Sequence, residues 1–275
     1  MPPAAGLALL RLLDGYLDAA PRTAARAEHI GPLTLFVNEG PGWRYYARPT
    51  PGTGAITSEQ IDAVVARQRE LQVPLSFEWV ADLVPGMARA ATGAGLQVLA
   101  HPLMYLEKDA FVPSPAPSGF EIRLVAPGDD LAPIQAVGGV AFQAAGTEPG
   151  SDGPEAVRAA AASVPAALLP FVRDRLERRV TVTAAAFDQS VPIAIGSHQP
   201  VGGVTEIVGV GTVPAFRRRG LGSALTSMLV EDAFARGVED VFLSAGDDTI
   251  ARVYARMGFT VIGTAGAAEP RESSR

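Results

Sequence analysis

The 275-residue sequence predicts an α+β fold, with helices laid against a central sheet. Three observations lead there. Short β-branched, apolar runs, the clearest at 33–37, 180–187 and 204–213, read as strands. Longer stretches repeat apolar side chains at helical spacing and read as amphipathic helices. Turn-forming residues such as Pro41-Gly42, Gly95 and Gly237 separate the two kinds of stretch. A hydrophobic share of 48% against 19% charged supplies a substantial core, in one large or two ordinary domains.

In order along the chain, residues 6–28 read as a helix. Leu7, Leu10, Leu12, Leu13 and Leu17 form its apolar side, and Pro21 breaks the pattern. Residues 33–37 and 43–47 read as a hairpin about Pro41-Gly42. After Gly52-Thr53-Gly54, Thr57 or Ser58 is placed to cap a helix faced by Ile61, Val64, Val65, Gln68 and Leu71. A strand at 75–80, a helix from near Pro85 to just before Gly95-Leu96, and a strand at 97–100 complete this half.

Pro113, Pro115 and Pro117 make 113–118 a stiff, extended linker. The expected division is therefore 1–112, the linker, and 119–266, with a polar, disordered tail at 267–275. The second part reads as a strand at 120–125, a helix at 129–143 and one or two Ala-rich helices within 154–178. Strands at 180–187 and 191–196 follow, joined by Asp188-Gln189-Ser190. A central strand starts at Val204 and leads to a helix, a strand at 241–244, a short helix and a last strand at 260–264.

Composition narrows the chemistry. With no cysteine, the chain has no disulfide, no thiolate nucleophile and no Cys-ligated metal. His29, His101 and His198 lack metal-ligand spacing, so no metal is expected. A net charge of −6 and a pI of about 5.2 argue against a nucleic-acid partner. Arg11 and Asp14 interrupt the leucines near the start. No signal peptide or membrane span is read, and a cytoplasmic protein without a membrane partner is expected.

The most informative stretch runs from Thr205 to Leu225. An apolar strand ends at Pro214, which cannot donate to a ladder. Arg217-Arg218-Arg219 and then Gly220 and Gly222 lead into a helix striped by Leu221, Leu225, Met228, Leu229 and Ala233. A helix N-terminus offers unpaired N–H groups and partial positive charge, and glycine lets an anion reach the backbone. The spacing fits neither a P-loop nor a dinucleotide fingerprint.

The order Val213-Pro214, Arg217, Gly220, Gly222 resembles the coenzyme A signature of the GNAT superfamily of N-acetyltransferases. A second strand and a short helix follow it. That helix carries Ile250, Val253, Tyr254 and Met257 and ends at Gly258-Phe259, like the GNAT segment after the pyrophosphate loop. The resemblance covers residues 119–265. It implies a three-layer arrangement with a mixed, mostly antiparallel central sheet. The first half repeats the plan, with Gly52 and Gly54 at the place of Gly220 and Gly222, so the chain also reads as a tandem GNAT with a degenerate first half. An unrelated α+β cap is the other reading of that half.

The resemblance also implies site residues and a cosubstrate, acetyl-CoA. Backbone groups of Arg218, Arg219, Gly220, Leu221, Gly222 and Ser223 would hold the pyrophosphate, with charge from Arg217, Arg218 and Arg219. Val210, Gly211, Thr212 and Val213 would meet the pantetheine arm where the family's strand splays at a bulge, and interior glycines at 209 and 211 suit that. Tyr254 reads either as the phenol that stabilises the departing thiolate or as a core tyrosine. Glu206 reads either as the base that deprotonates the acceptor amine or as a strand-edge acid, with His198 as a competing base. The implied activity is N-acetyl transfer to a small-molecule or protein amine by direct attack in a ternary complex. A homodimer is compatible with it. A non-catalytic acyl-CoA-binding or regulatory module is the alternative.

Overall fold

The computed structural model describes residues 4–144 and 146–271. Their elements, in chain order, are α1 (Ala4–Ala19), β1 (Arg26–Ile30), β2 (Leu33–Val37), β3 (Ala47–Pro49), α2 (Ser58–Glu70), β4 (Phe77–Val80), α3 (Met87–Gly93) and β5 (Leu96–Leu106). There follow β6 (Glu121–Leu124), α4 (Leu131–Gln143), α5 (Pro154–Ala161), α6 (Leu168–Glu177), β7 (Val182–Asp188), β8 (Val191–Val201) and β9 (Val204–Thr212). The chain continues with α7 (Leu221–Ala235), β10 (Asp240–Ser244), α8 (Asp248–Ala255) and β11 (Thr260–Pro270). The order β1-β2-β3-α2-β4-α3-β5 recurs as β7-β8-β9-α7-β10-α8-β11. The chain forms two compact units.

The first unit holds the described residues up to Met104, together with Ser244–Ala251 and residues 261–271. Its strands run in the order β1-β2-β3-β4-β11-β5. β3 and β4 are parallel, while β1, β2 and β3 form antiparallel pairs. One face, including Leu33, Leu35, Phe77, Trp79 and Ala268, closes a core with Ile61, Val64, Met87 and Ala91 of α2 and α3.

Three expectations change here. The helix expected over 6–28 stops at Ala19, and residues 26–30 become a strand because they pair in register with β2. The hairpin partner is Ala47–Pro49 rather than 43–47. Trp43 stays exposed, and its carbonyl accepts from Asn38 Nδ2 at 2.7 Å. The polar stretch after Ala267 continues β11 to Pro270, since Ala267 pairs with Glu78 and Ala268 with Phe77. Residues 272–275 of the expected tail lie outside the described residues.

The second unit holds 105–243 and 252–260, with strands in the order β10-β9-β8-β7-β6. α7 packs on β7, β8 and β9, and α4 packs on β8 and β9. The Pro-rich segment lies along α7, where Ser114 N–H donates to Ser227 Oγ at 2.7 Å and Phe111 meets Phe234 edge-on. Beneath α7, His198 is fully buried. Its Nδ1 lies 3.0 Å from Thr205 Oγ1 and its Nε2 3.1 Å from Asp232 Oδ2, and Arg236 Nη2 donates to Asp232 Oδ1 at 2.9 Å. This chain ties the two central strands to the last turns of α7.

Two predictions come from this packing. A Cβ at residue 266 would lie 2.5 Å from Trp79 Cζ2 and 2.8 Å from Cδ2, inside the first unit's core. Gly266→Ala therefore lowers stability by about 1–3 kcal/mol, read as an earlier urea midpoint. The second concerns pH. Burial holds His198 below the usual imidazole value of 6.5, against the opposing pull of Asp232. The neutral ring is the folded form, so as pH falls below 6.5 the unfolded chain takes up a proton that the folded chain resists. The stability lent by His198 is complete above that pH and declines below it. The melting-temperature gap between wild type and His198→Gln should shrink between about pH 7.5 and 5.5.

Candidate functional site

Strand β9 sets the geometry. Its register with β8 shifts between Ile195 and Ser197, because Ile195 faces Gly211 while Ser197 faces Val208. β9 thus carries one extra residue, a β-bulge. Gly209 sits there with φ of 62°, a left-handed value that glycine adopts without strain. The extra residue reverses the alternation of side chains. Before it, Thr205 and Ile207 share the α7 face with His198, and Glu206 and Val208 lie on the opposite face. After it, Val210 turns towards α7, where its methyl groups bound Gly196 and Gly222, and Gly211 turns towards Ala141 and Phe142 of α4.

On its other side β9 pairs with β10 in parallel. The ladder covers Val204↔Asp240, Thr205↔Val241 and Glu206↔Phe242 and ends there, while β9 runs on to Thr212. Val210, Gly211 and Thr212 therefore extend beyond the paired part of that ladder. Val213 is buried, and its N–H donates to Ile193 O at 2.9 Å.

The loop after β9 is built around the turn Pro214–Phe216. Arg218 and Gly220 both take left-handed backbone, with φ of 61° and 80°. Gly220 is the N-cap of α7, and no side chain caps the helix. Its first turn contains no acid, and Ala224 N–H to Gly220 O at 3.1 Å closes the first turn. The N–H groups of Leu221, Gly222 and Ser223 precede that bond and point out of the helix end, as a helix start requires. A Cβ at 222 would meet only Val210 Cγ1, at 3.7 Å, so the approach to the backbone is open.

The three arginines, alike in sequence, have different jobs. Arg217 turns inward and donates to four carbonyls: Thr212 O at 3.3 Å, Glu148 O at 3.0 Å, and Ala141 O and Ala144 O at 2.8 Å each. Its guanidinium ties the loop to the end of α4. Arg218 forms an exposed ion pair with Glu148. Arg219 lies over the Phe216 ring, 4.8 Å from its centroid, and donates to Ala215 O at 3.3 Å. Exposed pairs hold weakly in water, so Arg218 and Arg219 keep charge available at the helix start.

Tyr254, on α8, meets Phe259 edge-on at 5.9 Å. Burial pushes its phenol up to about 12, with the Thr226 side chain of α7 acting the other way. The hydroxyl is therefore a neutral donor at ordinary pH. Glu206 lies half-buried between Gln199 and Phe242. The structure therefore puts Tyr254 beside α7 and Glu206 on the other face of the sheet, where Thr183 and Ser197 hydroxyls are 2.9 Å apart. His198, the competing base, is buried on the α7 side with both ring nitrogens engaged. The sequence reading missed Phe142, an aromatic 64% exposed at the end of α4 beside Gly211. Its only signal was an apolar residue at the end of a helix. Among the described residues, no group of three or more His, Asp and Glu is placed to hold a metal ion. None of their helices is long and apolar enough to cross a membrane.

The first unit has the corresponding turn but a different helix start. Gly52 has φ of 83°. At α2, however, Gln60 Oε1 accepts from Thr57 N–H at 3.0 Å, and Glu59 sits in the first turn. That N-terminus is filled by its own side chains and carries negative charge.

Comparison with known proteins agrees with this geometry. Residues 155–259 match the acetyltransferase (GNAT) family model. None of the curated proteins matches the sequence. Among solved structures, a GCN5-related N-acetyltransferase from Kribbella flavida superposes with a TM-score of 0.70 at 21% identity, covering 96% of each chain. A GCN5-related N-acetyltransferase from Sphaerobacter thermophilus gives 0.56 at 19% identity, over 98% of this chain and 93% of that one. A tandem GNAT protein from the clavulanic acid biosynthesis pathway gives 0.51 at 16%, over 88% and 79%. At these identities the likeness is one of fold. Residues 155–259 thus carry the match to the acetyltransferase (GNAT) family model, and the mixed, mostly antiparallel strands flanked by helices share the fold of the GCN5-related N-acetyltransferase structures.

Proposed function

We propose that the second unit transfers an acetyl group from acetyl-CoA to a primary amine by direct attack in a ternary complex. The observation that carries this reading is the uncapped α7 N-terminus set directly after a bulged strand whose ladder to β10 stops at Glu206. The site residues proposed all fall within 119–266.

The residues present fit the coenzyme. Backbone N–H groups from Arg218 to Ser223 would hold a pyrophosphate, with Gly220 and Gly222 leaving the approach clear and Arg218 and Arg219 adding charge. Arg217 would act by holding this loop in shape. Backbone groups of Val210, Gly211, Thr212 and Val213 would orient the extended arm, and a β9 N–H would polarise the thioester carbonyl. Acetyl-CoA, when bound, supplies the acetyl thioester. Glu206 would take the proton of the acceptor ammonium, so that a neutral amine is held for attack. Tyr254 would meet the departing sulfur. Its phenol, near 12, lies well above a thiol's ordinary value of about 8.5, so it serves as a hydrogen-bond donor to the thiolate more than as a full proton donor. The reading places the enzyme in the cytoplasm, without metal or nucleic acid, as a monomer or homodimer. The acceptor is a small-molecule or protein amine.

Calorimetric titration tests the coenzyme site. Acetyl-CoA and free CoA should each bind once per chain, because the α2 N-terminus is filled. Gly222→Trp should abolish both. Two sites per chain would show that the first unit also binds coenzyme, and no binding would remove the transferase reading. For the chemistry, Tyr254→Phe and Glu206→Gln should each lower turnover about 10²-fold in a thiol-release screen over amines, with coenzyme affinity unchanged. Binding without turnover on any amine would favour the non-catalytic acyl-CoA-binding module instead.

A further inference from the structure

An exposed aromatic ring stands over the end of the bulged strand. α4 ends at Gln143, and the carbonyls of a last helical turn have no partners within the helix. Arg217 meets that need by donating to Ala141 O and Ala144 O at 2.8 Å each. Phe142 lies between those residues. The same guanidinium reaches Thr212 O at 3.3 Å, at the end of β9. One side chain of the loop before α7 therefore fixes both the base of Phe142 and the strand beside it.

The ring leans on the strand. A Cβ placed at 211 would lie 3.2 Å from Phe142 Cζ and 3.3 Å from Cε2, so the tip of the ring rests on Gly211. Gly211 is buried there, with Ala141 also against it. The rest of the ring is uncovered, because Phe142 is 64% exposed. Val210 and Thr212, on either side of Gly211, are only half-buried, and the ladder to β10 has already ended at Glu206. A solvent-accessible step results, with the β9 segment on one side and an apolar ring on the other. A lone apolar side chain on a surface is ordinary. This one is braced by the loop before α7 and touches the strand segment that runs beyond its ladder.

We propose that Phe142 positions the coenzyme, its ring packing on the apolar parts of the pantetheine arm laid along Val210–Val213. The assignment rests on the acetyl-CoA reading of the second unit. The arm alternates amides with methylene groups. Its amides match the backbone groups of β9, whereas its methylenes find no apolar partner on a bare strand edge. The ring supplies one, and covering its exposed part favours the bound state. Phe142 acts on the arm, and the start of α7 acts on the pyrophosphate, so the contributions of the two are separable.

Calorimetric titration of the full chain separates them. The ligands are CoA, acetyl-CoA and 3′-phospho-ADP, which keeps the pyrophosphate and lacks the arm. Phe142→Ala should weaken CoA and acetyl-CoA about tenfold and leave 3′-phospho-ADP within about twofold of wild type. Phe142→Leu, which keeps an apolar side chain, should recover most of the loss. The ring is exposed, so both variants keep the fold, checked by circular dichroism. An equal loss for 3′-phospho-ADP would overturn the assignment, because a displaced loop and not a missing ring would then be the cause. CoA affinity unchanged in Phe142→Ala, beside a wild type that binds CoA, would also overturn it and leave the coenzyme reading intact. A wild type that binds no CoA would remove both.

Discussion

One extra residue in β9 governs the geometry of the second unit. Without it, Val210 would project on the Glu206 face and Gly211 towards α7. With Gly209 in the left-handed region, the strand keeps its partner β8 but exchanges its two faces halfway along. Val210 then packs beside Gly222, so the start of α7 sits against the strand without a bulky side chain between them. Gly211 opens towards α4, where any larger residue would press on Ala141 and Phe142. The outward N–H groups at the start of α7 depend on backbone direction in this loop, and Arg217 braces the loop by donating to the carbonyls of Thr212, Ala141 and Ala144.

Much of this was legible in the sequence, for identifiable reasons. The α7 stripe, the glycines at 220 and 222 and the strand before them are local signals, and local physics suffices to read them. The start of α2 was also legible to within one residue, at Thr57 or Ser58, and Thr57 is the N-cap. What stayed hidden depends on partners distant in the chain. Arg26–Ile30 carries charges and a histidine and has no strand pattern of its own; it is a strand because β2 lies beside it. The small residues Ala265–Ala268 carry β11 past its expected end because β4 offers them a ladder. Three consecutive arginines look equivalent until the fold turns one of them into a brace. His198 gave no hint of Asp232, which reaches it from the far end of α7. The opposite placement of Glu206 and Tyr254 was likewise hidden, because face assignment on a strand is a parity count and one inserted residue inverts it.

The two halves share an element order but differ at the helix start that follows the third strand. In the second, the helix start is bare and faces a bulged strand. In the first, Gln60 and Glu59 occupy the corresponding position on α2. On the sheet face under α1 the first unit also buries polar groups, with Arg48 paired to Asp14.

The position of β11 has a consequence for biosynthesis. It lies between β4 and β5 in the first unit's sheet, yet it is made last among the described strands. As the chain leaves the ribosome, the first half can gather its core and pair β1 to β4, but the edge of β4 waits with bare backbone donors and acceptors. That edge is an adhesive surface throughout the synthesis of the second half. The nascent chain therefore carries a period of vulnerability to misassembly that its finished form conceals, and the half encoded first is the half completed last.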